Sequence, residues 1–514
     1  MRVVVTGGCG YVGYHVGWAL SRGGHHVLLY DVSLPHTLWE DTASLALHDA
    51  LPPDFWGHDD DVVGPIEYVK GSVTDYDGLV AAFTGAQAVI HTASYGMSGK
   101  EQLPPHQDRQ NEVNVQGTRL VVQAASHTGV RALIYTSTIN VVFGGQEVVN
   151  GDESLPYFPL SQHVDNYSRT KAISEMLVLM ANGKGSQVPI NGQIIPLRTT
   201  ALRLGGVMGL GERRHTERIL ATTKAGLFKA TFGRKEARQD FSGIQNLVQG
   251  HIKALMALLY ESSLPHEIKG PLCGFVTHPL SKHIIQHGNI ENSIKSSSLN
   301  EAIKEDIEDS LLPNLFNKLI NEDTGFGKEK KYQGNIVLNK IKKNDSVDSD
   351  KQLKENNVQS DKIKSLPTVS GRAYFITDEC PINNYEFFRP MVEGVGLPMP
   401  PVNNLPISLI LVVAWIQLYL YCLVYKLIPF SPIITPAEVY KASINHYFTC
   451  KAARESFGYE PTRPNDFSII IPYLKKNHAH SRQEYDQNIT FILRYISIFG
   501  ILFGLCGFLF FIDF

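Results

Sequence analysis

Two groups of residues in this 514-residue chain have the types and spacing to do chemistry. Tyr167 and Lys171 stand four apart, which stacks them on one face of a helix. A phenol titrates near pKa ~10 and is a poor base at neutral pH. A neighbouring ammonium favours the phenolate, so the pair can take the proton of an alcohol as hydride leaves its carbon. Upstream, Tyr135-Thr136-Ser137-Thr138 makes a hydroxyl-rich strand end, and ligands sit outside the carboxyl ends of such strands.

The second group is Thr6-Gly7-Gly8-Cys9-Gly10-Tyr11-Val12-Gly13. Gly7 permits a tight turn, Gly10 lets the backbone approach a pyrophosphate, and Gly13 lets the following helix pack close. The helix N-terminus, with Tyr11 and Val12 in its first turn, then stabilises the phosphates. Asp31 ends the next apolar run, where it would accept hydrogen bonds from the adenosine ribose. Its charge would repel a 2′-phosphate, and Val32 and Ser33 offer no cation to offset it. NAD is therefore expected over NADP.

The elements that must position these residues can be read from the pattern. Apolar β-branched runs at residues 2–6, 27–30, 66–69, 88–91 and 132–135 alternate with helical spacing, notably at 11–22 and 114–128. Strands recurring with helices between them predict an α/β, doubly wound parallel sheet. A further strand is expected at residues 372–377. The net charge of -3 gives no reason to expect nucleic acid. The six cysteines have neither metal-ligand spacing nor a paired framework, so no metal is expected. Cys9, Cys422 and Cys506 read as small buried hydrophobes.

The chain resembles the extended short-chain dehydrogenase/reductases, specifically the 3β-hydroxysteroid dehydrogenase/isomerase branch and its membrane-bound family 42E. The likeness rests on the glycine turn, His91-Thr-Ala-Ser94, Asn114-Val-Gln-Gly-Thr118, Tyr135 to Thr138, Tyr167-Ser-Arg-Thr-Lys171, Ala201-Leu-Arg-Leu204 and Asn383-Asn-Tyr-Glu-Phe-Phe-Arg-Pro390. The resemblance implies that Tyr167 accepts the proton and Lys171 holds the nicotinamide ribose. It implies that Thr138, or its neighbour Ser137, orients the substrate oxygen, and that His91 and Asn114 belong to the cofactor site. It also implies oxidation of a steroid or sterol 3β-hydroxyl, an endoplasmic reticulum membrane location with a cytosolic catalytic domain, and a homodimer. Ser72 stands where relatives often carry an acid, which would loosen the adenine contact. Two other readings share the motifs: a nucleotide-sugar epimerase or dehydratase, and a non-catalytic NAD-binding membrane scaffold.

The expected organisation is a catalytic Rossmann domain at 1–263, a low-complexity insertion at 264–367, and a return of the substrate domain at 368–404. A membrane-associated or transmembrane helix follows at 405–428, a polar cytosolic segment at 429–488 and a C-terminal transmembrane helix at 489–512. The insertion is predicted because residues 281–365 are rich in Lys, Asn, Asp, Glu and Ser, a composition that buries too little apolar surface to offset chain entropy. The membrane helices are predicted from the uncharged runs 407–425 and 495–512, each near the ~20 apolar residues that cross a bilayer core.

Overall fold

A computed structural model describes residues 1–47, 63–97, 99–185, 194–224, 226, 230–263, 368–399, 405–426, 432–464 and 466–477. The insertion and the C-terminal apolar run lie outside the described residues. Seven strands form one parallel sheet in the order β10-β7-β5-β4-β1-β2-β3. They are β1 Arg2–Thr6, β2 His26–Asp31, β3 Ile66–Lys70, β4 Ala88–His91, β5 Ala132–Thr138, β7 Arg198–Leu204 and β10 Arg372–Ile376. The order runs outward from β1 in both directions, which makes the doubly wound topology and puts a switch point between β1 and β4. The central strands are almost wholly buried, as expected when helices cover both faces.

Helices α1 Tyr11–Arg22, α2 Leu38–Leu47, α3 Tyr76–Phe83, α4 Gln107–Gln110, α5 Gly117–Thr128, α6 Asn166–Met180, α7 Arg214–Lys224 and α8 Ile244–Ser263 belong to the first part of the chain. Between α4 and α5 the backbone widens into a π-helical turn at Asn111–Gln116. Three short strands lie outside the main sheet: β6 Val148–Gly151, β8 Gly206–Met208 and β9 Phe241–Gly243. Two apolar clusters hold the layers together. One joins β1, β2, α1, α8 and the later helices, and the other joins the opposite sheet face to α3 and α5.

After the insertion the chain adds β10 beside β7 in register, Arg372 opposite Thr200 and Ile376 opposite Leu204. Helices α9 Asn384–Gly394, α10 Ile407–Val424, α11 Pro436–Ser443, α12 Lys451–Phe457 and α13 Ile470–Asn477 follow, with β11 His446–Phe448 pairing with β6. Part of the stretch 429–488, expected to be a polar cytosolic segment, is described. Residues 432–477 fold onto the catalytic body because they carry a buried apolar set that includes Val439, Phe448, Tyr459 and Phe467. Cys422 is corrected: it is exposed on α10, whereas Cys9 is buried.

Candidate active site

The glycine turn leaves no room for side chains. Gly7 has φ +69°, and a Cβ there would lie 2.5 Å from the Ala93 amide nitrogen. A Cβ on Gly13 would lie 2.3 Å from the Gly7 carbonyl oxygen. Gly10 caps α1 with no side-chain hydrogen bond, so the first-turn N–H groups have no side-chain partner. Such a helix end favours an anion. Asp31 closes the turn from β2: its Oδ2 accepts the Cys9 N–H at 3.0 Å and its Oδ1 accepts the Ser33 N–H at 3.1 Å. Tyr11 and Val12 line the same cleft, and the Tyr11 hydroxyl donates to the Leu210 carbonyl at 3.0 Å. Burial, then the nearby Asp31 carboxylate, pushes the Cys9 thiol up to about 12, so it stays neutral.

Opposite the turn, α6 delivers Tyr167 and Lys171. Asp165 caps this helix by accepting the Ser168 N–H at 2.7 Å, which fixes its start at Asn166, one residue before the tyrosine. Both side chains line the cleft and both are almost wholly buried. Burial raises the Tyr167 phenol above its ordinary value, with Arg214 and the Ser94 hydroxyl working the other way. The Lys171 Nζ donates to the Thr136 carbonyl at 2.6 Å and lies 4.0 Å from the Tyr135 ring centroid. Burial lowers the Lys171 ammonium to about 7, against the opposing pull of Glu175. One Lys171 donor is engaged by a backbone carbonyl, and the Arg214 charge favours the Tyr167 phenolate.

The two candidate hydroxyls separate cleanly. Thr138 lines the cleft, and its Oγ1 accepts only the Asn140 N–H at 3.3 Å. The Ser137 hydroxyl instead donates to the buried Glu175 carboxylate. Ser137 therefore has a buried carboxylate as its partner, although it too borders the cleft. Glu175 also accepts from the Tyr157 hydroxyl at 2.8 Å, and from Arg203 Nη2 at 2.7 Å and Nε at 3.0 Å. This buried network was missed from the sequence. Its signal was the stripe Tyr167, Lys171, Glu175 at four-residue spacing, with Arg203 arriving from β7 beside β5.

His91 and Asn114 stand behind the residues that border the cleft. The His91 ring is fully buried, with Nδ1 2.7 Å from the Thr6 hydroxyl and Nε2 2.9 Å from the Thr118 hydroxyl. Burial lowers it to about 3, so it is neutral. Asn114 sits in the π-helical turn. Its Oδ1 accepts the Tyr95 N–H at 2.8 Å, while its Nδ2 donates to the Tyr95 carbonyl at 2.9 Å and the Thr170 hydroxyl at 2.8 Å. Both residues position the wall at Thr92, Ala93 and Ser94, which does line the cleft.

The cleft has a volume of about 1420 Å³. It runs from the glycine turn past Tyr167 to an end walled by Phe232, Tyr385, Phe388, Leu405, Ile410 and Val413. Among the described residues no group of His, Cys, Asp and Glu is placed to hold a metal ion.

A model of the 3-beta hydroxysteroid dehydrogenase/isomerase family matches residues 4–277. The chain belongs to this family. Short-chain dehydrogenase/reductase family 42E member 1 from Homo sapiens is 32% identical over 93% of this chain and 88% of its own length. The Xenopus laevis protein of that name is 31% identical over 94% and 90%. The 3 beta-hydroxysteroid dehydrogenase/Delta 5→4-isomerase of Mycobacterium tuberculosis is 25% identical over 92% and 90%. The dTDP-glucose 4,6-dehydratase DesIV of Streptomyces venezuelae, solved with NAD and TYD bound, superposes with a TM-score of 0.51. It covers 93% of this chain and 98% of its own at 13% identity, a likeness of fold alone. For this member of the 3-beta hydroxysteroid dehydrogenase/isomerase family, the side-chain-free glycine cradle, the uncapped helix end and Asp31 fit NAD. The coarse chemistry is that of an NAD-dependent oxidoreductase.

Proposed function

We propose that this protein oxidises the 3β-hydroxyl of a steroid or sterol to a ketone, with NAD as acceptor. The observation that carries the reading is the continuity of one cleft, from the glycine turn through Tyr167 to the apolar end formed by Phe232, Tyr385 and Phe388. A rigid, apolar alcohol fits such an end, with its hydroxyl turned back toward Tyr167 and Thr138.

NAD, when bound, supplies the electrophilic carbon that takes hydride. The protein's own residues do the rest. Gly7, Gly10, Tyr11, Val12 and Gly13 hold the pyrophosphate, and Asp31 holds the adenosine ribose. Lys171, anchored on the Thr136 carbonyl, hydrogen-bonds the nicotinamide ribose. Thr138 orients the substrate oxygen, and the alcohol proton passes to the Tyr167 hydroxyl oxygen. Ser94 and Arg214 favour the phenolate that must accept it, against the burial that disfavours it. This balance makes the oxidation faster as pH rises.

A nucleotide-sugar substrate would need cations for its diphosphate. Two of the three arginines that α7 and its approach bring to the cleft are paired, Arg213 with Glu217 and Arg218 with Glu438, which favours the apolar substrate. The test is NADH formation by the membrane-embedded protein given NAD and a panel of 3β-hydroxysteroids. We expect a signal that Tyr167→Phe lowers by roughly 10²-fold or more while NAD binding persists. Silence across the panel, or full activity of Tyr167→Phe, refutes the reading. Co-purified NAD with no net NADH would favour the epimerase chemistry.

A further inference from the structure

Helix α10 is apolar all round, and its two faces have different surroundings. Ala414, Gln417 and Tyr421 are buried against the body. On the other face Leu409, Val412, Ile416, Tyr419 and Leu423 are exposed. At 3.6 residues per turn these two sets are centred roughly 160° apart.

The inner face is held along the length of the helix. Near its start, Leu405 and Phe232 form a backbone bridge. At its middle, the Gln417 Oε1 accepts the Ile433 N–H at 2.8 Å. Toward its end, Tyr421 packs on Leu103, with Leu418 and Val424 beside them. The 18-residue helix is about 27 Å long, close to the ~30 Å of a bilayer core. If it crossed that core, the flanking body would have to cross with it. Such a path would carry Glu101, Arg109, Glu438 and Lys441, which border the same cleft, into hydrocarbon at several kcal/mol per charge. A flat orientation avoids this cost. It immerses only the outer face, with Trp415 on its edge as an amphipathic ring of the kind that settles at the headgroup level.

The same helix lends Ile410 and Val413 to the apolar end of the cleft. We propose that α10 lies in the plane of a lipid bilayer's surface, its outer face among the acyl chains, and that substrate enters the cleft from the lipid past Ile410 and Val413. The second clause rests on the apolar-alcohol reading above; the first does not.

The experiment measures depth. The full-length protein is reconstituted in phosphatidylcholine vesicles whose acyl chains carry bromine either near the glycerol end or near the methyl end. Quenching is recorded for Trp415, and for Leu409→Trp and Leu423→Trp placed in the Trp415→Phe background, with Trp415→Phe alone as the baseline. The expected result is quenching at Leu409→Trp and Leu423→Trp that is equal within error, with Trp415, on the edge of the helix, quenched no more deeply than either. A progression from shallow to deep along the helix would show a span and overturn the proposal. Absence of quenching at all three would show the face covered by protein, whether a second copy or another part of this chain, and would equally overturn it. Depth is read without turnover, so its failure leaves the catalytic reading standing, and an inactive enzyme with a shallow helix would refute only that reading. The entry route has its own readout. The double variant Val412→Glu/Ile416→Glu, on the outer face, should raise the apparent KM for bilayer-dissolved sterol severalfold while kcat holds. An unchanged KM would remove the lipid route.

Discussion

Glu175 is the residue whose loss should reach furthest. It is fully buried, one helical turn beyond Lys171, and it accepts from Ser137, Tyr157 and Arg203. Burial alone would disfavour the Arg203 charge, and Glu175 with Tyr157 outweighs it, so this guanidinium stays charged. Glu175→Gln would leave that charge without its counter-ion, which costs about 3–5 kcal/mol at a buried site. For a domain of this size the melting temperature should fall on the order of 10 °C. Glu175→Leu/Arg203→Met removes both charges and should lose clearly less than the two single variants summed, with a coupling of about 1–3 kcal/mol. The assay is thermal or urea unfolding, in one detergent, of the parent, Glu175→Gln, Glu175→Leu, Arg203→Met and the double variant. The same substitution removes the carboxylate that opposes burial at Lys171, so the Lys171 limb of the pH profile of kcat/KM should move to lower pH in Glu175→Gln. A loss under about 1 kcal/mol, or strictly additive variants, would refute the account of this network as an ion pair supporting the catalytic helix.

Three further outcomes concern Thr138, Ser137 and Lys171. Thr138→Ala should lower kcat by roughly 10²-fold with little change in melting temperature, and Thr138→Ser should restore most of it. Ser137→Ala should do the reverse, costing about 1–2 kcal/mol through Glu175 and sparing kcat; comparing kcat and melting temperature for the set exposes any exchange of roles. Lys171 gives a pH test of stability, because its folded value is lowered from 10.5 to about 7. Below pH 7 both folded and unfolded chains hold the proton, and the folded state bears the full burial cost. Between about 7 and 10.5 only the unfolded chain keeps it, so this contribution to stability improves as pH rises. Lys171→Met should therefore be inactive yet more stable than the parent below pH 7, with the gain shrinking toward pH 10.5. A gain independent of pH in unfolding titrations would show that the ammonium is not the cause.

Much of the fold was legible because buried parallel strands read as continuous apolar runs. The runs ending at Thr6, Asp31, His91 and Thr138 each mark a true strand end. The glycine turn and the Tyr167–Lys171 pair were legible because their chemistry constrains spacing within one element. What crosses elements was not. Glu175 and Arg203 meet only because β7 lies beside β5, 28 residues away in sequence. The position of His91 behind the wall was not legible, because it precedes three residues that do face the cleft and nothing in its identity tells a wall residue from the support behind it. The packing of residues 432–477 was not legible because Val439, Phe448, Tyr459 and Phe467 are spread over short elements with no sustained period. The electrostatics of Tyr167 depended on Arg214, which arrives from a different helix.

Glu261, at the end of α8, accepts the N–H groups of Val369 and Ser370 at 3.0 and 3.1 Å and the Ser370 hydroxyl, and sits 4.0 Å from Arg198 of β7. The chain therefore leaves the body and re-enters it at one sutured point. The edge strand β10 is delivered in register whatever happens between residues 264 and 367. Closing a loop costs only with the logarithm of its length, about 0.6 kcal/mol per doubling, so the sheet is nearly indifferent to how much sequence is spliced in there. Such a junction is where lineages can add or shed whole segments without renegotiating the active site, and where a tag or reporter domain can be grafted with the catalytic body left intact.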